Sequence, residues 1–212
     1  AFGLVPPAER RKVFDYLVGR ITEGGSAQLG TGLIGGQWLM RTLTAYGRAD
    51  LARELATREE YPGWGYMIRQ GATTIWELWN GNTADPLMNS GNHVMLLGDL
   101  ISWLFEDVAG IQAGEPGFST IRFRPHFLFL SVTCRHHTIH GVASSSWESD
   151  ERHVSWEVEV PANVTAIAEL PPGASAHLRV DGKAPSISNG ESRILIPLEP
   201  GRHRLTFDNP GV

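Results

Sequence analysis

Between Gly71 and Trp79 the chain reads Gly-Ala-Thr-Thr-Ile-Trp-Glu-Leu-Trp, setting one carboxylate, Glu77, among Ile75, Trp76 and Trp79. Apolar and aromatic walls disfavour the charged form of a carboxyl group, and carboxyl groups tuned in this way act as acid or base at glycosidic bonds. Indole faces also stack on sugar rings. A Glu between two tryptophans equally suits a partly exposed helix residue with ordinary core neighbours, since Glu is rarely buried unless paired. The surroundings favour a site. Tyr61-Pro-Gly-Trp-Gly-Tyr66 lies upstream and Asn89-Ser-Gly-Asn-His93 downstream, so aromatic, amide and imidazole groups gather on loops around a single carboxylate. That is the equipment of a pocket for a polar, hydroxyl-rich ligand.

Helices must carry these loops. Pro7 suits a first helical turn, and Val13, Phe14, Leu17, Val18 and Ile21 recur at helical spacing, predicting a helix over 8–21 that ends at Gly24-Gly25. A second helix is expected over 32–46, with Leu33, Ile34, Trp38, Leu39 and Leu43 as its stripe and Gly47 as its stop. A third, over 49–58, would start on Asp50 as N-cap. From Glu60 to Asn92 the chain is rich in Gly, Pro, Asn and Trp, and only Thr73 to Trp79 looks regular. A loop this long in a compact domain is usually functional or disordered, and its aromatic content argues for function. Helix is expected again over 93–107, where Leu96, Leu97, Leu100, Ile101, Leu104 and Phe105 form a broad apolar face.

After Gly114-Glu-Pro-Gly117 the period changes from helical to alternating, which places a domain boundary near residue 118. Val154, Trp156, Val158 and Val160 alternate with polar residues, as do His203, Leu205 and Phe207, and Leu178 and Val180 run into an Asp181-Gly182 hairpin turn. Short strands between such turns read as an antiparallel β-sandwich over 118–212.

Composition excludes several functions. With 42% apolar and 19% charged residues the 212-residue chain is ordinary globular sequence. A net charge of −5 and the lack of a Lys/Arg-rich run argue against a nucleic-acid surface, and Arg10-Arg-Lys12 reads as a solvated helix face. No apolar run of about 18 residues and no charged-then-apolar leader is present, so neither a membrane span nor a signal peptide is expected, and location stays open. The single Cys134 excludes an intrachain disulfide and reads as a buried thiol in a strand. His126, His136, His137, His140 and His153 lack metal-ligand spacing and read as structural or surface residues. No metal or cofactor is expected.

The run Ala-Thr-Thr-Ile-Trp-Glu-Leu-Trp, preceded by Tyr-Pro-Gly-Trp-Gly-Tyr and followed by Ser-Gly-Asn-His-Val-Met-Leu-Leu-Gly, closely resembles the bacterial α-L-rhamnosidases of glycoside hydrolase family 78. Gly30-Thr-Gly-Leu-Ile-Gly-Gly36 and Tyr46-Gly-Arg-Ala-Asp-Leu-Ala52 resemble that family too, and the likeness covers roughly residues 1–170. It implies the C-terminal part of an (α/α)6 toroid over 1–117, followed by the β-sandwich. It implies that Glu77 is the general base of an inverting hydrolysis of terminal α-L-rhamnose, and that His93 contacts the sugar. Trp76 and Trp79 would wall the pocket, Trp64 would stack on sugar, and adjacency suggests that Asn92 orients the His93 ring. Leu78 and Gly63 depart from residues common in the family.

An inverting glycosidase needs a second, protonated carboxyl group about 6.5–9.5 Å from the base. In the family that acid belongs to the first half of the toroid, and nothing in residues 1–60 matches its motif; Glu54, Glu59 and Glu60 look like surface charges. The expectation is therefore a fragment of a longer enzyme, inactive alone, that acts on rhamnose-containing glycosides or polysaccharides only with its N-terminal half, and that otherwise self-associates through exposed apolar helix faces. Two rivals stay open. One is a different activity on the same toroid, another glycosidase or a uronate lyase, of which the lyase would need cations for the substrate carboxylate, and Arg69 is the only Arg or Lys between Glu60 and Asn92. A non-catalytic carbohydrate-binding or structural fragment would use the same tryptophans without breaking a bond.

Overall fold

A computed structural model describes residues 3–93, 100–175, 177–189 and 193–209. The chain divides into two compact units, Ala1–Trp103 and Leu104–Val212. This division falls earlier than the change of periodicity near residue 118.

The first unit is helical. A 3-10 turn over Pro7–Glu9 leads into α1, Arg10–Ile21, which buries Phe14 and Ile21. Val13, expected on the same apolar stripe, is 47% exposed. Helix α2, Leu33–Ala45, buries Leu39, Met40 and Leu43, while Trp38 is only half-buried. It ends as its sequence requires: Gly47 takes φ 81°, its amide bonds the Thr44 carbonyl and the Arg48 amide the Leu43 carbonyl, a paired closure of the last turn. In α3, Ala49–Thr57, Asp50 is not the N-cap. Arg48 holds that position, and the Asp50 carboxylate takes a bidentate pair from the Arg48 guanidinium at 2.8–2.9 Å instead. A charge-assisted fork of this kind outcompetes a single backbone amide for the carboxylate.

A short helix that the sequence pattern did not announce, α4, spans Trp64–Arg69. The expected regularity of Thr73 to Trp79 is absent, and residues 71–93 form turns and bends. The helix expected over 93–107 lies partly at 94–99, outside the described residues, with Leu96 and Leu97 among them. Residues 100–103 are helical, and there Trp103, fully buried, donates from Nε1 to the buried Thr44 hydroxyl at 2.8 Å. Among the described residues no helix is long and apolar enough to cross a membrane.

The second unit opens with a π-helical turn, Leu104–Val108. Its strands are β1 Ile111–Ala113, β2 Thr120–Phe123, β3 Ser131–Thr138, β4 Gly141–Ser149, β5 His153–Val160, β6 Thr165–Leu170, β7 Arg179–Val180, β8 Ser188–Asn189, β9 Ile194–Leu198 and β10 Gly201–Asp208. They form two five-stranded sheets, ordered β1-β2-β6-β9-β8 and β3-β4-β5-β10-β7. Alternation decides which faces meet: Val154, Trp156, Val158 and Val160 on β5 and Leu205 and Phe207 on β10 are buried, as are Ile121, Phe123, Ala166 and Ala168 of the other sheet. Phe127 meets Trp147, Trp156 and Phe207 edge-on at 5.2–5.9 Å. The buried Ser145 hydroxyl donates to the Ala109 carbonyl at 2.7 Å and accepts from Trp156 Nε1 at 2.9 Å, so this polar core group is fully satisfied.

The sandwich departs from the expected antiparallel pattern at one place. β2 and β6 pair in parallel, because the chain makes β3 to β5 in the opposite sheet before returning beside β2. The Asp181-Gly182 turn forms as read, with both residues at positive φ and Val180 and Lys183 exchanging hydrogen bonds across it. Cys134 lies in β3 but is half-buried rather than buried, because strand β3 lies at the edge of its sheet; burial still pushes its thiol up. Glu169 carries a charge that the pattern did not mark. It is 7% exposed, with Arg122 Nε at 2.7 Å and Arg124 Nε at 3.9 Å from its carboxylate.

Two histidines give this unit opposed pH dependences. Burial disfavours protonation of His203, but Nδ1 lies 2.9 Å from the Asp181 carboxylate and Nε2 2.8 Å from the Glu199 carbonyl; two acceptors call for two ring protons, and the pKa is raised. Burial lowers the pKa of His126, with Arg193 and Arg124 acting the same way against the Asp107 carbonyl. The unfolded imidazole titrates near about 6.5. Below that value the unfolded state takes up His126's proton first and stability falls with pH; above it His203's extra stability is lost as pH rises through its raised folded pKa. Denaturant unfolding between about pH 5 and 8.5 is therefore expected to give greatest stability near about pH 6.5. Asp181→Asn should flatten the alkaline limb alone. An unchanged alkaline limb in that variant would refute the assignment to His203.

Candidate active site

Glu77 has no regular element beneath it, and a second loop holds it. The Glu77 amide donates to the Ser90 carbonyl at 2.9 Å, and the Ser90 amide returns a bond of 2.9 Å to Glu77 Oε2. On either side the His93 amide donates to the Ile75 carbonyl at 2.7 Å and the Leu78 amide to Asn89 Oδ1 at 3.2 Å. Thr74 Oγ1 donates to the Gly91 carbonyl. Segments 74–78 and 89–93 are thus laced together although neither is a strand. Glu77 is half-buried. One of its oxygens is fixed by an amide, and among the described residues the other has no protein partner. A carboxylate so held has a set orientation and a free lone pair.

The tryptophans divide by role. Trp79 is half-buried and donates from Nε1 to the Thr31 carbonyl at 3.1 Å, which ties the loop to the segment before α2. Trp64, expected to meet sugar, is 3% exposed; its ring stands edge-on to Trp79 at 5.2 Å, so it braces Trp79 and has no face left to offer a ligand. Trp76 is half-buried, and the close approach of its ring requires Gly81: a Cβ there would lie 2.7 Å from ring atoms. His93 is half-buried, with Nδ1 unpartnered among the described residues. Asn92 is exposed, and among the described residues its hydrogen bonds run through its backbone to the Ser90 hydroxyl, at 3.1 and 3.2 Å, with none from its side chain to the His93 ring.

Four other carboxylates described in this unit have partners other than Glu77. Glu54 Oε1 accepts from the Ala27 amide at 2.8 Å, Glu59 pairs with Arg69 at 3.4 Å, Glu60 lies 3.9 Å from Arg58, and Asp85 accepts from the Leu87 amide at 2.9 Å. Sequence reasoning marked Glu77 and the tryptophans but missed Ser90 as the group that holds the carboxylate and Asn89 as the one that fixes the neighbouring Leu78 backbone. Backbone bonds between two irregular loops leave no periodic signal.

The family profile described as bacterial alpha-L-rhamnosidase 6 hairpin glycosidase domain matches residues 1–108. The chain belongs to the bacterial α-L-rhamnosidase family. The profile of the bacterial alpha-L-rhamnosidase C-terminal domain follows over residues 110–184. An α-L-rhamnosidase of Formosa agariphila is 34% identical over an alignment spanning all of this chain and 23% of the relative. One from Streptomyces avermitilis is 34% identical over 81% of the chain and 17% of its own length. Among solved structures, the Streptomyces avermitilis α-L-rhamnosidase complexed with L-rhamnose matches 96% of the chain with a TM-score of 0.87 at 29% identity, using 20% of that structure. The α-L-rhamnosidase from Dictyoglumus thermophilum matches 98% with a TM-score of 0.86 at 29% identity, using 24%. The chain therefore spans less than a quarter of the length of these rhamnosidases, and its helices and β-sandwich correspond to part of their glycosidase toroid and to their C-terminal domain.

Proposed function

We propose that this chain supplies the general base and one side of the sugar pocket to an inverting α-L-rhamnosidase that removes terminal α-L-rhamnose from glycosides or polysaccharides. The observation that carries this reading is the Glu77 carboxylate, with Oε2 held by the Ser90 amide and its other oxygen without a protein partner among the described residues. A base must be rigid toward the protein and free toward water, and this carboxylate is both. The open oxygen takes a proton from the water as that water attacks the anomeric carbon, on the face opposite the departing aglycone. Trp76 and Trp79 wall the ring, Trp64 braces Trp79, and His93 and Asn92 offer hydrogen bonds to rhamnose hydroxyls. The general acid, which protonates the leaving oxygen, comes from outside these 212 residues. The fit to relatives that are α-L-rhamnosidases, one of them complexed with L-rhamnose, supports the choice of sugar.

Proton NMR of the first product released by the complete enzyme tests the mechanism. Inversion delivers β-L-rhamnose before mutarotation. If α-L-rhamnose forms first, Glu77 is not the base of a single displacement.

A further inference from the structure

We infer that the outward face of the sheet β3-β4-β5-β10-β7 holds a second saccharide site, a shallow groove suited to a neutral, hydroxyl-rich sugar. The strand register lays two parallel rows across four strands. One row runs Arg135, Ser144, Glu159, Arg202, and its neighbour runs Thr133, Ser146, Glu157, Arg204. Both rows carry a serine on β4, so the surface dips there between longer side chains and leaves a cavity of about 460 Å³. Sugar-sized ligands occupy pockets of about 300–1,000 Å³.

The pairing of charges within the rows is incomplete. Glu159 has Arg202 at 3.6 Å, and Arg204 Nε is turned to the Ser155 hydroxyl at 3.2 Å. That leaves the Arg135 guanidinium on one bank and the Glu157 carboxylate on the other without a hydrogen bond or ion pair among the described residues. Arg135 offers only donors and Glu157 only acceptors, and the floor between them is hydroxyl. β3 and β5 flank β4 and the two groups stand on neighbouring rows, so two strand spacings of about 4.8 Å and a two-residue step of about 6.8 Å set them about 12 Å apart at the backbone. A single sugar ring, hydrogen-bonded at each edge, bridges that gap.

Charge selects the ligand. A carboxylate-bearing sugar would gain Arg135 but face the unpaired Glu157, whereas neutral hydroxyls use donors and acceptors alike. Among the described residues no Trp, Tyr or Phe lines the groove, so these supply no stacking platform, and affinity should be on the order of 1 mM. The site lies wholly in the second unit and is independent of the reading of Glu77.

Amide NMR of the full chain, titrated separately with L-rhamnose and D-galacturonate, tests it. Rhamnose is expected to give saturable shifts at Arg135, Ser144, Ser146 and Glu157, with galacturonate weaker. Glu157→Gln and Arg135→Met should each weaken rhamnose binding about tenfold, the cost of one hydrogen bond to a charged group. Both side chains project from a sheet surface, and Arg135→Lys, which keeps the charge but loses the planar fork, serves as a second variant if Arg135→Met does not fold. Absence of saturable shifts on β3 to β5, shifts confined to residues 74–93, tighter binding of galacturonate, or unaltered binding by the folded variants would each overturn the proposal.

Discussion

Replacing Glu77 with Gln in a complete rhamnosidase containing this sequence should lower kcat by about 10³-fold, the usual worth of a positioned general base. That loss is about 4 kcal/mol of transition-state stabilisation. The substitution keeps the shape of the side chain, and an amide oxygen still accepts the Ser90 amide now bound to Glu77 Oε2. Ground-state binding should therefore change little, with the loss in kcat rather than KM. Azide should restore turnover, because as an anion it attacks the anomeric carbon without giving up a proton, and the product should be the inverted β-L-rhamnosyl azide. Hydrolysis near the parent rate in Glu77→Gln, measured with p-nitrophenyl α-L-rhamnopyranoside, would remove the base assignment. A large rise in KM with kcat intact would instead make Glu77 a sugar-binding carboxylate.

The carboxylate and its aromatic walls were legible in the sequence because they are adjacent in it: Trp76, Glu77 and Trp79 carry their own signal. So were the helices around Phe14, Leu39 and Leu55 and the alternating strands around Trp156 and Leu205, since burial on one face imposes a period. What holds Glu77 in place was not legible, because the Ser90 amide reaches it, and Asn89 and Gly91 reach the flanking Leu78 and Thr74, across a turn-rich loop. Trp64 shows the same limit from the other side. Its position in an aromatic loop suggested a sugar platform, but helix α4 turns it inward against Trp79. The Glu169 cluster and the parallel β2–β6 pair also depend on strands far apart in sequence.

The 212-residue chain alone is expected to hydrolyse p-nitrophenyl α-L-rhamnopyranoside at least about 10⁴-fold more slowly than a complete enzyme, because a base without its acid leaves the aglycone to depart unprotonated. Glu54, Glu59, Glu60 and Asp85 have partners of their own. Unit 1 also exposes large apolar side chains, Leu4, Tyr16, Ile68, Leu87 and Met88 at 72–91%, and surfaces of this kind are ordinarily covered. Its solution mass should accordingly exceed that of one chain at high concentration. Mixing it with the separately produced remaining part of a complete rhamnosidase should bring back turnover, and Glu77→Gln in this piece should abolish that recovery. Robust turnover by the chain alone, at any mass, would mean that an acid residue lies within it or is supplied by a second copy. A monomeric mass with no recovery on mixing would show that the apolar faces are not where the rest of the enzyme docks.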